Sequence, residues 1–280
     1  MHVNENITRS QTDHLGTVNR AFSKQSSHFD AEDDANIILR DMRLQIYHHV
    51  DEFLPVPSYI LELNAGTGID AFRFANAGHR VHATDLSTGM IDAIVRKTEA
   101  APGRERVTCQ QVSYDNLDRI TDARFDYVFS NFGGLNCIKD LSRVTKHLPP
   151  LLNQNAYVTF VIMPPVCIWE FLWIFKGQFK QAFRRLKKDG VLAHLEGEYF
   201  KTYYHSLSAI KKSFPYGFKF IRSEGLGALS PTPGSTKFVT QHPSAYAALR
   251  KADTLFRNSF PFNQWADHII VTFQYINQNR

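Results

Sequence analysis

Cysteine is scarce in this sequence, which has only Cys109, Cys137 and Cys167 among its 280 residues. The three lie far apart and form no C-x-x-C pair, which argues against a disulfide framework and against a structural zinc site. Residues 1–16, MHVNENITRSQTDHLG, are polar and lack the apolar core of a secretory signal. We therefore expect a cytoplasmic protein that has no metal site.

Long apolar runs are also rare, and repeats and low-complexity tracts are absent. Residues 156–175, AYVTFVIMPPVCIWEFLWIF, are the one run as long as a membrane span. Pro164 and Pro165 interrupt this run, and Glu170 follows them. Because two prolines end a strand or a helix, the run is interpreted as a buried strand, a turn and an aromatic helix.

Strand-like and helix-like patterns alternate along most of the chain, beginning with a helical pattern at residues 35–54. The predicted strands are YILEL (59–63), RVHATD (80–85), RVTCQQV (106–112), RFDYVFSN (124–131), AYVTFVIM (156–163), FKFIRSEGLGAL (218–229) and WADHIIVTFQYI (265–276). Alternation of this kind predicts an α/β fold, a parallel sheet with helices on both faces. We expect one domain over residues 35–280, preceded by a loose N-terminal segment, residues 1–34.

The turn after the first predicted strand, NAGTGIDA at residues 64–71, consists mostly of small residues. Such a turn between a parallel strand and a helix presents free backbone N–H groups to a ligand. Ala65, Gly66 and Gly68 allow close approach, and asparagine at position 64 tolerates left-handed backbone angles. Asp85, at the end of the second strand, is placed to accept the hydroxyls of a ribose. The spacing also fits the dinucleotide fingerprint G-x-G-x-x-A, so NAD stays open as a ligand at this point.

Three motifs in chain order resemble those of the class I S-adenosylmethionine (SAM)-dependent methyltransferases. ELNAGTG, residues 62–68, is similar to the family's acid-x-G-x-G-x-G motif, and DLSTGM, residues 85–90, to its acid followed by S-x-x-M. FDYVFSNFGGLNCI, residues 125–138, looks like the family's strand and loop FDLVxSN. The resemblance covers residues 35–163. It implies SAM as cofactor, S-adenosylhomocysteine (SAH) as product, and a Rossmann-like seven-stranded sheet of order 3-2-1-4-5-7-6 with the last strand antiparallel.

The resemblance also implies roles for single residues. Asp85 would bind the ribose, and Met90 would lie near the adenine. Ser113 stands where the family has an acid on the adenine side, a role for which Asp115 is a substitute. The implied cofactor-binding residues are Glu62, Asn64, Ala65, Gly66, Gly68, Asp85, Leu86, Met90, Ser113, Tyr114, Asn131, Phe132 and, for the SAM carboxylate, Arg43.

Two segments interrupt the alternation, residues 165–206 and 227–264. In a sheet of the implied order both leave the carboxyl edge over the SAM crevice, where they would form the lid and the substrate pocket. Residues 165–222 carry eleven Lys and Arg against four acids, which fits an anionic substrate or surface, or a solvated helix face. The aromatic residues of the first insertion fit a buried lid helix, an apolar substrate channel or a helix on a membrane surface.

A general base is needed only if the acceptor loses a proton during methylation. The candidates are His205, Tyr204 and His268. His205 is the first of them because its segment directly follows the lid. Asp267 is placed to orient its neighbour.

The leading hypothesis is SAM-dependent methyl transfer to a small-molecule or lipid-like acceptor, apolar or anionic, by in-line displacement in a desolvated site. Peripheral membrane contact is left open. A nucleic-acid methyltransferase is the second hypothesis; the basic insertion favours it, but SNFG at residues 130–133 lacks the N-P-P-[YF] loop of base-amino methylases. A non-catalytic SAM-fold or membrane-surface protein is the third, and an NAD-dependent oxidoreductase is the least favoured.

Overall fold

The computed structural model describes residues 2–100, 103–121 and 123–276. Met1, the first residue of the predicted segment 1–34, lies outside the described residues. So do residues 277–280, the last four of the predicted domain 35–280. The helices are α1 His2–Gln25, α2 Phe29–Ala35, α3 Ile37–Asp51, α4 Ile69–Asn76, α5 Thr88–Ala100, α6 Ser142–Thr145, α7 Ile168–Phe171, α8 Phe179–Ala182, α9 Leu207–Ser213, α10 Thr236–Gln241 and α11 Pro243–Phe256. The strands are β1 Tyr59–Leu63, β2 Arg80–Asp85, β3 Val107–Gln111, β4 Phe125–Ser130, β5 Leu152–Ile162, β6 Val191–Leu195, β7 Glu198–Thr202, β8 Phe218–Leu226 and β9 His268–Tyr275.

Seven strands form one sheet in the order β3-β2-β1-β4-β5-β9-β8. The first five run parallel, and β9 is antiparallel to both of its neighbours, β5 and β8. With the separate pair β6–β7 left out of the count, this is the predicted order 3-2-1-4-5-7-6. The α/β fold class and the antiparallel last strand are confirmed.

The central strands are apolar on both faces, as expected of a sheet with helices on each side. Leu61 and Leu63 of β1 belong to one core, whereas Ile60, the residue before Leu61, belongs to the other. In β4, Val128 lies in the first core and Tyr127 in the second. The alternation of side chains along each strand therefore divides the interior into two layers, and the sheet separates them.

The first insertion contains a hairpin, strands β6 and β7, in addition to the predicted strands. Strands β6 and β7 are antiparallel and joined by Glu196 and Gly197, which have φ of 51° and 79°. Two residues with positive φ form the tight turn that suits a two-residue hairpin. The aromatic segment before the hairpin was predicted as a helical stretch, but it is a series of short helical turns, interrupted at Gly177 with φ of 70°.

The prediction of a loose N-terminal segment over residues 1–34 is wrong. Helices α1 and α2 span His2–Gln25 and Phe29–Ala35, and Val18 and Ala21 of α1 are buried in the first core. Side chains of α1 also accept the first backbone N–H groups of α5: Asn19 from Thr88 at 3.1 Å and Ser23 from Gly89 at 3.1 Å. The segment is polar on average, but its apolar residues recur on one helical face and find a partner surface.

Within the described residues, no helix has the length and apolar character needed to cross a bilayer. The apolar run at 156–175 is divided between β5 and the short helix α7. Pro164 and Pro165 lie between the two elements, as the interpretation of the sequence required.

Candidate active site

A cavity of about 270 Å³ lies where β1, β2 and β4 end, at the carboxyl edge of the sheet. Open α/β sheets bind their ligands at this edge, and the volume is close to the lower end of the range for small-molecule sites, roughly 300–1,000 Å³. Of the predicted cofactor residues, the cavity is lined by Arg43, Asn64, Ala65, Gly66, Asp85, Leu86, Met90, Tyr114, Asn131 and Phe132. Glu62, Gly68 and Ser113 are not among its lining residues.

The turn after β1 depends on left-handed backbone angles at three alternate positions. Asn64, Gly66 and Gly68 have φ of 47°, 56° and 83°. At Gly68 a Cβ would lie 3.0 Å from the side chain of Ile94 and 3.3 Å from that of Phe72, so no larger residue fits without movement. Gly68 therefore supports the turn from behind, and asparagine at position 64 preserves its shape.

Asp85 links the second strand to this turn. Its Oδ2 accepts a hydrogen bond from the Gly66 N–H at 3.0 Å, and its Oδ1 accepts one from the Ser87 N–H at 2.8 Å. Burial raises the pKa of Asp85 above the ordinary value for aspartate, although the N–H bonds act in the opposite direction. Each carboxylate oxygen has a second lone pair, so the group can still accept two hydroxyl hydrogens.

Apolar residues line the end of the cavity next to β2 and β3. Leu86, Met90 and Val112 lie here together with Tyr114, whose Oη is buried and has no hydrogen-bond partner among the described residues. A buried hydroxyl without a partner is costly, which is a sign that a ligand completes it. This flat apolar end with one polar atom suits an adenine ring.

Ser113 and Asp115 have local roles. The Ser113 hydroxyl accepts the backbone N–H of Asp115 at 3.2 Å and so caps a short 3-10 turn. Asp115 forms an ion pair with Arg143 at 2.7 Å. Neither side chain lines the cavity, so the structure does not bring an acid to the place where the resemblance implied one.

A cluster of charged residues lies at the opposite end of the cavity. Nη1 and Nη2 of Arg43 donate to Asp70 at 2.5 Å and to Asp33 at 2.7 Å, and Asn131 donates to Asp70 at 2.8 Å. Burial acts to lower the pKa of Arg43, but the negative groups around it hold that pKa above its ordinary value. The guanidinium also lies 4.8 Å from the ring of Phe132, and its Nε has no partner among the described residues.

Glu62 lies behind this cluster, one residue before the end of β1. It is fully buried, and its Oε2 has no partner among the described residues. Burial raises the pKa of Glu62 well above its ordinary value, and the charges of Asp70 and Asp85 act in the same direction. Glu62 therefore lies below the cavity rather than in its lining.

The N-terminal helices and the hairpin close the cavity from the solvent side. Val18 and Phe22 of α1, Phe29 of α2, and Phe200 and Thr202 of β7 all line it. These contributions were missed in the sequence because the N-terminal segment was interpreted as loose. The signal was present as apolar residues at helical spacing, Leu15, Val18 and Phe22.

Residues 60–155 match a family model described as a methyltransferase domain. The matched segment contains the turn after β1, Asp85, Tyr114 and the loop at Asn131, all of which contribute to the cavity lining. Over these residues the chain is similar to a methyltransferase domain. The seven-stranded sheet of the whole chain has the strand order that the sequence resemblance implied.

Solved methyltransferase structures share the fold of this domain at low sequence identity. A Listeria monocytogenes protein described as SAM-dependent is 17% identical, with a TM-score of 0.54, over 82% of this chain and 96% of its own. The 1,6-didemethyltoxoflavin N1-methyltransferase of Burkholderia thailandensis is 14% identical, with a TM-score of 0.55, over 95% and 90%. A complex of DhpI with SAH is 13% identical, with a TM-score of 0.56, over 95% and 98%. These similarities show the fold alone, and no curated protein matches the chain in sequence.

Of the three predicted bases, His268 lies beside two residues that line the cavity. Its ring packs edge-on against Phe132, with 5.8 Å between centroids, and a Cβ on Gly133 would lie 3.4 Å from its Nε2. Nδ1 is 3.0 Å from Oδ2 of Asp267. Phe132 and Gly133 both line the cavity. Nε2 of His268 therefore lies directly behind the cavity lining.

His205 and Tyr204 are directed elsewhere. Nε2 of His205 lies 3.0 Å from the carbonyl oxygen of Ile138, and burial lowers the pKa of His205. The guanidinium of Arg185 lies over the ring of Tyr204, with its Cζ 5.2 Å from the ring centroid. Neither residue lines the cavity.

Arg185 connects the first insertion to Asp267. It donates to Oδ1 of Asp267 at 2.7 Å and to Glu170 at 2.9 Å, and Arg184 donates to Glu170 at 2.8 Å. Burial acts to raise the pKa of Asp267, but His268 and Arg185 hold it below its ordinary value. Cys167, Glu170 and Asp267 place metal-ligand atoms within 4.8 Å of one another. Because the two guanidiniums occupy the carboxylates, the group is best described as a buried ion-pair cluster.

Proposed function

We propose that the cavity binds SAM and that the protein transfers its methyl group to a small-molecule acceptor. The observation that carries the proposal is the bond from the Gly66 N–H to Asp85. This bond fixes a carboxylate beside a small-residue turn at the carboxyl edge of the sheet. The polar atoms without partners in Tyr114 and Arg43, at the two ends of the same cavity, support a ligand with a base at one end and charges at the other.

Each part of the cavity has a role in this proposal. Asp85 accepts the two ribose hydroxyls, and Leu86, Met90 and Tyr114 enclose the adenine. At the amino-acid end of SAM, the carboxylate of Asp70 binds the ammonium group and the guanidinium of Arg43 binds the carboxylate. Asn131 holds Asp70 in position through its side-chain amide.

SAM supplies a methyl group activated by a sulfonium. The protein's contribution is to hold the two reactants in line and to exclude water from them. Phe22, Phe29 and Phe200 serve the second purpose because they cover the cavity with apolar surface. The cofactor end of the site is thereby closed, and the acceptor must fit between the cover and the loop at Phe132.

A small acceptor is favoured because the cavity holds only about 270 Å³ and is lined by apolar side chains of the N-terminal helices and the hairpin. Structural neighbours include one solved with SAH and 1,6-didemethyltoxoflavin and one described as a DhpI–SAM–HEP complex. Where the acceptor must lose a proton, His268 is the proposed base, with Asp267 holding its ring. The three cysteines, all unpaired, support a reducing compartment, and we propose the cytoplasm.

Isothermal titration with SAH tests the first half of the proposal. Saturable one-to-one binding is expected, and the absence of binding at millimolar SAH would remove the premise. For the second half, SAM carrying a tritiated methyl group is incubated with a panel of phenols, catechols and amines. His268→Asn is expected to keep SAH affinity and to lose transfer to the protonated acceptors, whereas His205→Asn serves as the control and keeps both.

A further inference from the structure

The first insertion presents an aromatic and basic surface to solvent. Phe175 is 88% exposed and Phe179 58% exposed. Leu172, Phe183 and Leu186 are also exposed. Around them, Lys176, Lys180, Lys187 and Lys188 are exposed as well. We call these nine residues the 172–188 patch.

The patch contains no acid. Residues 171–188 carry six Lys and Arg and no Asp or Glu. Arg184 and Arg185 are turned inward, where they bind Glu170 and Asp267. The four lysines of the patch form no ion pair within the described residues, and one of them, Lys176, lies 5.0 Å from the ring of Trp173. The outward charges of the patch are therefore all positive, with the exposed Asp189 directly after it, while the inner charges are neutralised.

The inner side of the same segment is firmly attached. Trp169 donates to Ser235 at 3.2 Å and packs edge-on against Phe238, and Arg185 is held by two carboxylates. The segment thus has a packed inner face and an apolar outer face. Exposed phenylalanine and leucine side chains are unfavourable in water, so a cluster of them marks a contact surface.

We propose that the 172–188 patch docks the protein on an anionic lipid bilayer. Apolar side chains that enter the headgroup region, flanked by lysines that meet anionic lipids, are the combination that holds a peripheral protein on such a surface. The four outward lysines supply the complementary charge, and the exposed phenylalanines supply the apolar area. A nucleic-acid partner is less well matched, because both arginines are used inside and exposed leucines offer nothing to a base.

Docking here would bring the active site to the membrane. The insertion leaves the carboxyl end of β5, where Met163 lines the cavity, and Arg185 connects it through Asp267 to His268 beside Phe132. The patch and the cavity are therefore on the same edge of the sheet. The docking does not depend on the proposed methyl transfer, since it uses none of the cavity residues.

Co-sedimentation of the full chain with vesicles tests the proposal. Vesicles of phosphatidylcholine alone are compared with vesicles that also contain phosphatidylglycerol, in low and high salt. Binding is expected only with phosphatidylglycerol and should weaken in high salt. The double variant Phe175→Ser/Phe179→Ser should lower the partition constant roughly tenfold or more, since it removes the apolar contact. Lys187→Gln/Lys188→Gln should lower both the binding and its salt dependence.

Matched controls lie at the opposite, amino edge of the sheet. Val56 is 67% exposed before β1, and Lys212 and Lys219 are exposed at the end of α9 and the start of β8. Val56→Ser and Lys212→Gln/Lys219→Gln should bind vesicles like the wild type. An unchanged thermal unfolding midpoint and unchanged SAH affinity show that each variant is folded.

Four results would overturn the proposal: no binding to phosphatidylglycerol vesicles, equal loss in the patch and control variants, a concentration-dependent dimer that the Phe175→Ser/Phe179→Ser change abolishes, or patch-dependent binding of a short RNA that displaces the vesicles. None of them bears on SAH binding, so the failure of this proposal is distinct from failure of the proposed function.

Discussion

Nη1 of Arg43 donates a hydrogen bond to Oδ1 of Asp70 at 2.5 Å, and this bond joins helix α3 to the first turn of α4. The same guanidinium reaches Asp33 in α2, and Asp70 in turn accepts from Asn131 after β4. One buried cluster therefore fixes the N-terminal cover, the helix before the sheet and the loop after β4. It sets the shape of the charged end of the cavity.

Arg43→Ala should destabilise the protein by about 3–5 kcal/mol, because it leaves two carboxylates buried without their counter-charge. Chemical denaturation measures this free energy of unfolding. Arg40→Ala, on the exposed side of the same helix, is the control and should change it by no more than about 0.5 kcal/mol. Equal effects of the two variants would contradict the cluster's structural role.

Asp85→Asn should weaken SAH binding by about 1.5–3 kcal/mol, the typical scale for hydrogen bonds to a charged group. The amide keeps the size of the side chain, but only one of its two terminal atoms can accept hydrogen bonds. Isothermal titration gives the affinity, and Asp92→Asn, exposed on α5, is the matched control. If Asp85→Asn binds SAH like the wild type, the ribose has been placed wrongly.

SAH affinity should fall as the solution is acidified, and at a higher pH than an ordinary aspartate would require. The pKa of Asp85 is raised by burial, so its carboxylate is ionised above that raised pKa and becomes protonated as the pH falls through it. Protonation removes acceptor capacity for the ribose. When SAH affinity is measured at a series of acidic pH values, the wild type and Glu62→Gln should both lose affinity in one step. Asp85→Asn should show no such step. A step that vanishes in Glu62→Gln instead would assign it to the buried glutamate.

Gly89→Ala should loosen the N-terminal cover. A Cβ at this position would lie 2.5 Å from the backbone oxygen of Ser23, so α1 must move away from the start of α5. We expect a loss of about 1–3 kcal/mol in the free energy of unfolding and faster amide exchange in residues 13–25. Gly234→Ala, where a Cβ meets no atom within 4 Å, is the control. Unchanged exchange in α1 would show that its contact with α5 is unimportant.

The strands of the parallel sheet were predictable because short strand-like segments alternate with helical ones along the chain. YILEL and RVHATD match β1 and β2 residue for residue. The turn was also predictable, since Gly66, Gly68 and Asp85 are local signals with a fixed spacing. The same local reasoning failed over residues 1–34, where a polar average concealed one apolar helical face that is stable only against α5 and β7.

The sequence alone determined the alternation of strands and helices, the turn beside the cavity and the acid opposite it, because each follows from residues close together in the chain. The order of the strands was implied by the resemblance to a known family. Tertiary structure alone decided the rest of the site. Arg43 meets Asp70, Phe22 meets Phe200, and His268 reaches Phe132 across separations of 27, 178 and 136 positions in the chain. Contacts of that range depend on how complete elements pack, and no short pattern encodes them.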